Sequence, residues 1–107
     1  MNLAWIALLA AGVLEIGWPI GLKQGYTPHG LHWGWIAFGV LCIGGSGALL
    51  FFAQKTIPIG TAYAVWTGIG AAGTFIVGVF IYGDAASALR MLSVLLIIVG
   101  VVGLKLA

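Results

Sequence analysis

Charge is what this sequence has least of. Four residues are Lys or Arg and two are Asp or Glu, so 6% of the 107 residues are charged, against about 25% in ordinary soluble domains. A soluble chain of this size needs a polar skin that so few charges cannot supply. The shortage excludes a cytosolic enzyme and a disordered chain. The net charge of +2 is too small to hold a polyanion, so no nucleic-acid partner is expected. Cysteine is nearly absent, and Cys42 alone cannot form an intrachain disulfide. His29 and His32 share one connector with no Cys or carboxylate beside them, which provides no metal-ligand set. No nucleophile–base pair is visible, so neither an enzyme nor a cofactor is expected. The first residues lack Lys and Arg, and Glu15 interrupts what would be an apolar leader core, which argues against a signal peptide.

Apolar residues are abundant instead, at 63% with a mean hydropathy of +1.21. A helix crossing a hydrocarbon core of about 30 Å needs about 20 residues. The sequence divides into four such spans: residues 3–22, 33–53, 61–82 and 87–106. Gly25, Pro28 and Gly30 break the first connector, Pro58 and Gly60 the second, and Gly83 with Asp84 the third. The apolar runs are continuous rather than alternating, which predicts helices and not a barrel. The expected fold is therefore an all-α membrane protein, one four-helix transmembrane domain over residues 1–107. Trp5, Trp33, Trp35 and Tyr82 fall near span ends, as an aromatic belt would.

The cations carry no orientation signal. With four spans, Lys55 and Lys105 fall on one side and Lys23 and Arg90 on the other. An even split gives no preferred orientation by the positive-inside rule. Either the signal is weak in a small protein, or copies insert both ways and pair as an antiparallel dimer. Four helices barely enclose a cavity, so some oligomer is expected in either case.

Five of the six charges lie at span ends; Glu15 alone lies in mid-span. An acid there costs about 3 kcal/mol even on insertion scales, which makes it a functional candidate. It can offset that cost by holding a proton or a cation, but not comfortably both. That competition is the minimum machinery for proton/cation exchange. The alternative is a carboxylic acid that merely hydrogen-bonds between helices. Helical spacing puts Gly12 and Trp18 on the Glu15 face. Tyr63, Trp66, Thr67, Gly70 and Thr74 form a stripe on the third span, and Gly39, Cys42 and Ser46 share a face of the second. Pro19 lacks the N–H that would bond the Glu15 carbonyl, which predicts a local bend or widening beside the carboxylate. Gly68 and Gly70 give the third span a thin, bendable centre, and Ser93 with Gly100 form a small patch on the fourth suited to dimer packing.

Two segments carry a resemblance. The run from Gly12 to Trp18 with Leu22 and Lys23 resembles the first helix of the small multidrug resistance family. The run from Pro58 to Gly70 is similar to that family's third-helix signature. Trp18, Thr61 and Thr67 fit its guanidinium-exporter branch better than its polyaromatic-cation branch. The resemblance covers essentially the whole chain. It implies an antiparallel homodimer in the inner cell membrane, exporting guanidinium and small guanidinyl cations in exchange for protons. It further implies that Glu15 binds proton and substrate, that Trp18, Ser46 and Trp66 orient Glu15 by hydrogen bonds, that Tyr63 lines the site, and that Gly12 leaves room beside the carboxylate. Lys23 would end the first helix. The chain departs from the family pattern at Pro19, where a small or aliphatic residue is usual, at Asp84, where Glu is common, and in a longer first connector. The rival readings are an exporter of quaternary ammonium or polyaromatic cations and a non-transporting membrane assembly partner.

Overall fold

The computed structural model describes residues 2–107. Helix α1 spans Leu3–Gly25, strands β1 and β2 span Tyr26–Thr27 and Gly30–Leu31, and helices α2, α3 and α4 span Trp33–Ala53, Ile59–Tyr82 and Ala88–Leu106. All four helices are long and apolar enough to cross a membrane. α1 continues past Lys23 through Pro19 without interruption and ends at Gly25. The first connector is a small hairpin in which Tyr26 pairs with Leu31 and Thr27 with Gly30. Gly30 has φ +115, a conformation that glycine adopts without a steric penalty.

Polar side chains start three of the helices. Asn2 accepts from the Trp5 N–H, His32 Nδ1 from the Trp35 N–H at 3.2 Å, and Ser87 Oγ from the Arg90 N–H. Each satisfies a main-chain donor that the first helical turn leaves unpaired. His32 thus has a concrete role as the cap of α2. Gly83 closes α3 in the left-handed conformation, φ +70, and the Asp84 N–H donates to the Gly78 carbonyl.

α1 is the central element and packs against both α2 and α3, while α4 leans on α3. The α1–α2 seam is built from glycine. Gly17, Gly21 and Gly25 recur every fourth residue and so form one stripe along α1. A Cβ on Gly21 would lie 2.8 Å from Gly39 Cα and 2.9 Å from the Trp35 carbonyl oxygen. These are main-chain atoms, so the two helices touch backbone to backbone. The α1–α3 seam also depends on glycine: a Cβ on Gly12 would meet Ile69 at 2.8 Å, and one on Gly73 would meet Ile16.

The buried core lies at one end of the protomer. Ala4, Ala7, Leu8, Ala53, Ile57, Ala62 and Val65 pack together, with Val101 and Leu104 of α4 against them. At the other end, α1 and α3 are linked only near the surface. Tyr82 donates to Gln24 Oε1 at 3.0 Å, and Lys23 Nζ stands 4.9 Å from the Tyr82 ring centroid. The Cα framework measures 47 × 34 × 18 Å, a slab rather than a closed bundle. α4 buries no residue, and Leu92, Leu96 and Val99 on it are more than half exposed. In water such surface would be a liability; in a bilayer it faces lipid or another helix.

Gly21→Ala is expected to destabilise the protein by about 1–3 kcal/mol, because the facing main chain cannot yield. Gly60→Ala, whose Cβ meets nothing within 4 Å, is expected to be neutral or slightly stabilising, as alanine is the better helix former. Unfolding of the two variants in detergent micelles by denaturant titration measures both effects.

Candidate functional site

Glu15 sits midway along α1, half-buried, where α1 faces α3. Trp18 lies one turn further along the same face, and its indole Nε1–H donates to Glu15 Oε1 at 2.7 Å. The short distance is that of a charge-assisted or otherwise strong hydrogen bond. Gly70 of α3 stands opposite. A Cβ there would lie 2.5 Å from Glu15 Cγ, so any larger residue would displace the acidic side chain. Gly70 therefore makes the close approach possible, and this contact is the physical account of its position on the stripe. Gly68 points elsewhere: its added Cβ would meet Val101 of α4 at 2.5 Å. Gly12 packs against Ile69, three residues before Glu15 on the same helix.

Ser46 and Trp66 are brought together, but not on the carboxyl group itself. Trp66 Nε1–H donates to Ser46 Oγ at 2.7 Å, and Ser46 Oγ–H donates to the Ala11 carbonyl at 2.8 Å. Ser46 is fully buried, and this chain satisfies its hydroxyl as both acceptor and donor. Ala11 is four residues before Glu15, so its carbonyl is the main-chain acceptor of the Glu15 turn. Trp66 and Ser46 thus fix the turn that carries Glu15, while among the described residues Trp18 alone reaches its carboxyl oxygen. Tyr63 packs its ring 5.4 Å from that of Trp66 and is more than half exposed, one turn before Thr67 on the same stripe of α3. Ser93 Oγ donates to its own helix at the Leu89 carbonyl, and an added Cβ on Gly100 would meet nothing within 4 Å. Both lie on the uncovered surface of α4.

A cavity of about 510 Å³ opens beside the carboxylate, lined by Glu15, Pro19, Thr67, Gly70, Thr74 and Asp84 among others. Thr67 and Thr74 flank Gly70 at offsets of three and four, so one face of α3 supplies all three. A smaller adjoining cavity shares Pro19, Thr74 and Asp84 and reaches Lys23 and Tyr82. The two together run from mid-span to the membrane face that carries the first and third connectors. The packed core lies toward the opposite end. Asp84 was not legible as part of the site from the sequence. The turn at Gly83 folds it back against Gly78, and an acid just beyond a helix-ending glycine was the only hint.

Ser46→Ala leaves the Trp66 indole without its acceptor and removes the second donor to the Ala11 carbonyl, at an expected cost of about 1–3 kcal/mol. Trp66→Phe in the same background should add less than it does alone, since both changes break one chain. A double-mutant cycle by denaturant unfolding in micelles checks the coupling.

The chain's likeness to known proteins extends along the same length as this arrangement. Residues 3–97 match the model of a family described as Small Multidrug Resistance protein. A guanidinium exporter of Salmonella typhimurium is 48% identical over 105 residues, covering 98% of each chain. One of Yersinia pseudotuberculosis is 49% identical over 105 residues, 98% of this chain and 99% of its own, and one of Citrobacter freundii is 47% identical over 98% of each. These matches run through all four helices, the glutamate of α1 and the tryptophan-bearing stripe of α3. This multi-pass membrane protein belongs to the small multidrug resistance family.

Proposed function

We propose that the protein is a proton-coupled antiporter that exports guanidinium and small guanidinyl cations across the membrane, with Glu15 binding substrate and proton in turn. Membership of its family makes it a transporter and not an enzyme, and relatives near half identity are named guanidinium exporters. The observation that carries the reading is the environment of Glu15. It is the one mid-span charge of the chain, it faces a cavity that reaches the membrane surface, and one of its oxygens is held by Trp18. The other oxygen is left for a ligand. A planar guanidinium presents parallel N–H donors that match a carboxylate. A proton on Glu15 removes that charge, and a bound cation favours the ionised form. Competition of this kind links export to the proton gradient once the site opens to each side alternately.

The working unit in this reading is an antiparallel homodimer of one four-helix domain, inserted in both orientations. Three features support it. The four cations divide evenly between the two faces. The protomer is an open slab whose cavity needs a cover. α4 offers an apolar surface with Ser93 and Gly100, small residues that let another helix approach. Gly12, Trp18, Ser46, Tyr63 and Trp66 shape the site, while Pro19, Gly68 and Gly70 set how α1 and α3 bend and approach.

Glu15→Gln is expected to abolish proton-coupled guanidinium exchange in proteoliposomes, and wild-type-like exchange by that variant would remove the central claim. Wild-type protein should bind guanidinium more weakly as pH falls, because protonation of the carboxylate competes with the cation. Resistance of cells to quaternary ammonium compounds, without guanidinium tolerance, would favour a drug exporter. Absence of any cation-dependent tryptophan fluorescence change would favour an assembly partner. Added lysines in the first connector should fix one orientation and stop transport, and co-expression with a copy biased the other way should restore it.

A further inference from the structure

Resting on the reading of Glu15 as the cation site, we propose that Pro19 sets its specificity by turning the Glu15 main-chain carbonyl into a cation-binding oxygen. In an α-helix that carbonyl accepts from the N–H four residues on. Residue 19 is proline, which has no N–H, and α1 runs unbroken through it. Among the described residues, no main-chain donor from outside the helix reaches the Glu15 carbonyl. An unpartnered carbonyl is tolerated at membrane depth only where it lines a cavity or finds another donor.

Two observations put this carbonyl at the cavity. Glu15 and Pro19 both line it. On the facing helix, a Cβ on Gly70 would lie 3.9 Å from the Glu15 carbonyl carbon as well as 2.5 Å from Glu15 Cγ. Glycine at position 70 thus lets α3 pack directly on both the main chain and the side chain of Glu15, at the wall of the same cavity. Trp18 takes one lone pair of Oε1, so the acceptors left for a ligand are Oε2, the second lone pair of Oε1 and the released carbonyl, with Thr67 and Thr74 lining the same cavity.

This set of oxygens discriminates by donor geometry. Guanidinium carries N–H donors in one plane on all sides; the carboxylate takes one edge and leaves the rest to be satisfied. The main-chain carbonyl of the same residue accepts from an adjacent nitrogen. A quaternary ammonium ion has no N–H, so the extra oxygen offers it no hydrogen bond and matters far less to its binding. Pro19 acts through the carbonyl and does not itself touch the cation; it is a positioning residue for selectivity.

Pro19→Ala returns an N–H to the helix and closes the carbonyl. Guanidinium and tetramethylammonium are titrated against wild-type and Pro19→Ala protein in detergent, read by tryptophan fluorescence. The expected result is a guanidinium Kd raised about tenfold, the scale of a lost hydrogen bond to a charged group, with the tetramethylammonium Kd unchanged. An unchanged guanidinium Kd, or an equal shift for both ions, would overturn the proposal. Glu15 is the chain's only glutamate, so carbonyl-¹³C glutamate supplied in cell-free synthesis labels this one main-chain group. In wild-type protein the labelled amide I band should move to lower frequency with guanidinium and not with tetramethylammonium. A band that stays in place overturns the proposal even if Pro19→Ala does not fold. Wild-type protein that binds no guanidinium would defeat the reading of Glu15 itself, whereas wild-type binding with an unaltered variant defeats only the role of Pro19.

Discussion

A carboxyl group in the middle of a hydrocarbon layer is the constraint around which this molecule is arranged. It costs free energy wherever it is not neutral, hydrogen-bonded or paired. The surrounding residues answer each part of that requirement. Trp18 supplies a donor from the same helix face. Gly70 removes the side chain that would otherwise occupy the space of the acid. A cavity connects the group to the membrane surface, where protons and cations are available. Trp66 and Ser46 hold the helical turn beneath it through the Ala11 carbonyl. A carboxylate so placed is stable only with a partner, and exchange of one partner for another is the chemistry proposed for it.

Those demands explain why so much of the chain is small. Bilayer hydrocarbon gives two helices no hydrophobic reason to associate, so adhesion must come from close contact and hydrogen bonds. In the Gly17–Gly21–Gly25 stripe, Gly21 meets the main chain of α2 while Gly17 and Gly25 take the side chains of Cys42 and Ile36, and that seam aims the opposite face of α1, with Glu15, at α3. At the site end, α1 and α3 separate around Pro19 and Thr74. At the other end, Leu8 and Val65 are fully buried in the core. One chain thus carries a packed core on one side of the carboxylate and the Glu15 cavity on the other.

The spans and their central acid were legible in the sequence because both depend on local composition: long apolar runs and a single mid-span charge. The Glu15–Trp18 bond was legible too, since residues three apart on a helix share a face. What depended on how one helix is rotated against another was not. The period of α2 places Ser46 on a face, but cannot say that its hydroxyl reaches the Ala11 carbonyl and not the Glu15 carboxylate. Gly68 and Gly70 read alike as soft points in α3, yet one meets Val101 and the other Glu15. Asp84 read as a loop acid, and only the left-handed turn at Gly83 brings it to the cavity. The short hairpin over Tyr26–Leu31 was hidden because two pairs of residues leave no periodicity to detect.

The two seams of α1 differ in what a shift would disturb. On the α2 side, Gly21 faces main-chain atoms of Gly39 and Trp35, which have no freedom to move aside. On the α3 side, Gly12, Gly70 and Gly73 face the side chains of Ile69, Glu15 and Ile16, which have rotamers to exchange. Sliding α3 along α1 therefore changes side-chain positions, whereas sliding α2 along α1 drives backbone into backbone. If the site is to face each side of the membrane in turn, the α1–α3 seam is the one that can open and close at low cost. Glu15 lies on that seam, so the residue proposed to bind the cation is also packed where the movement would be felt.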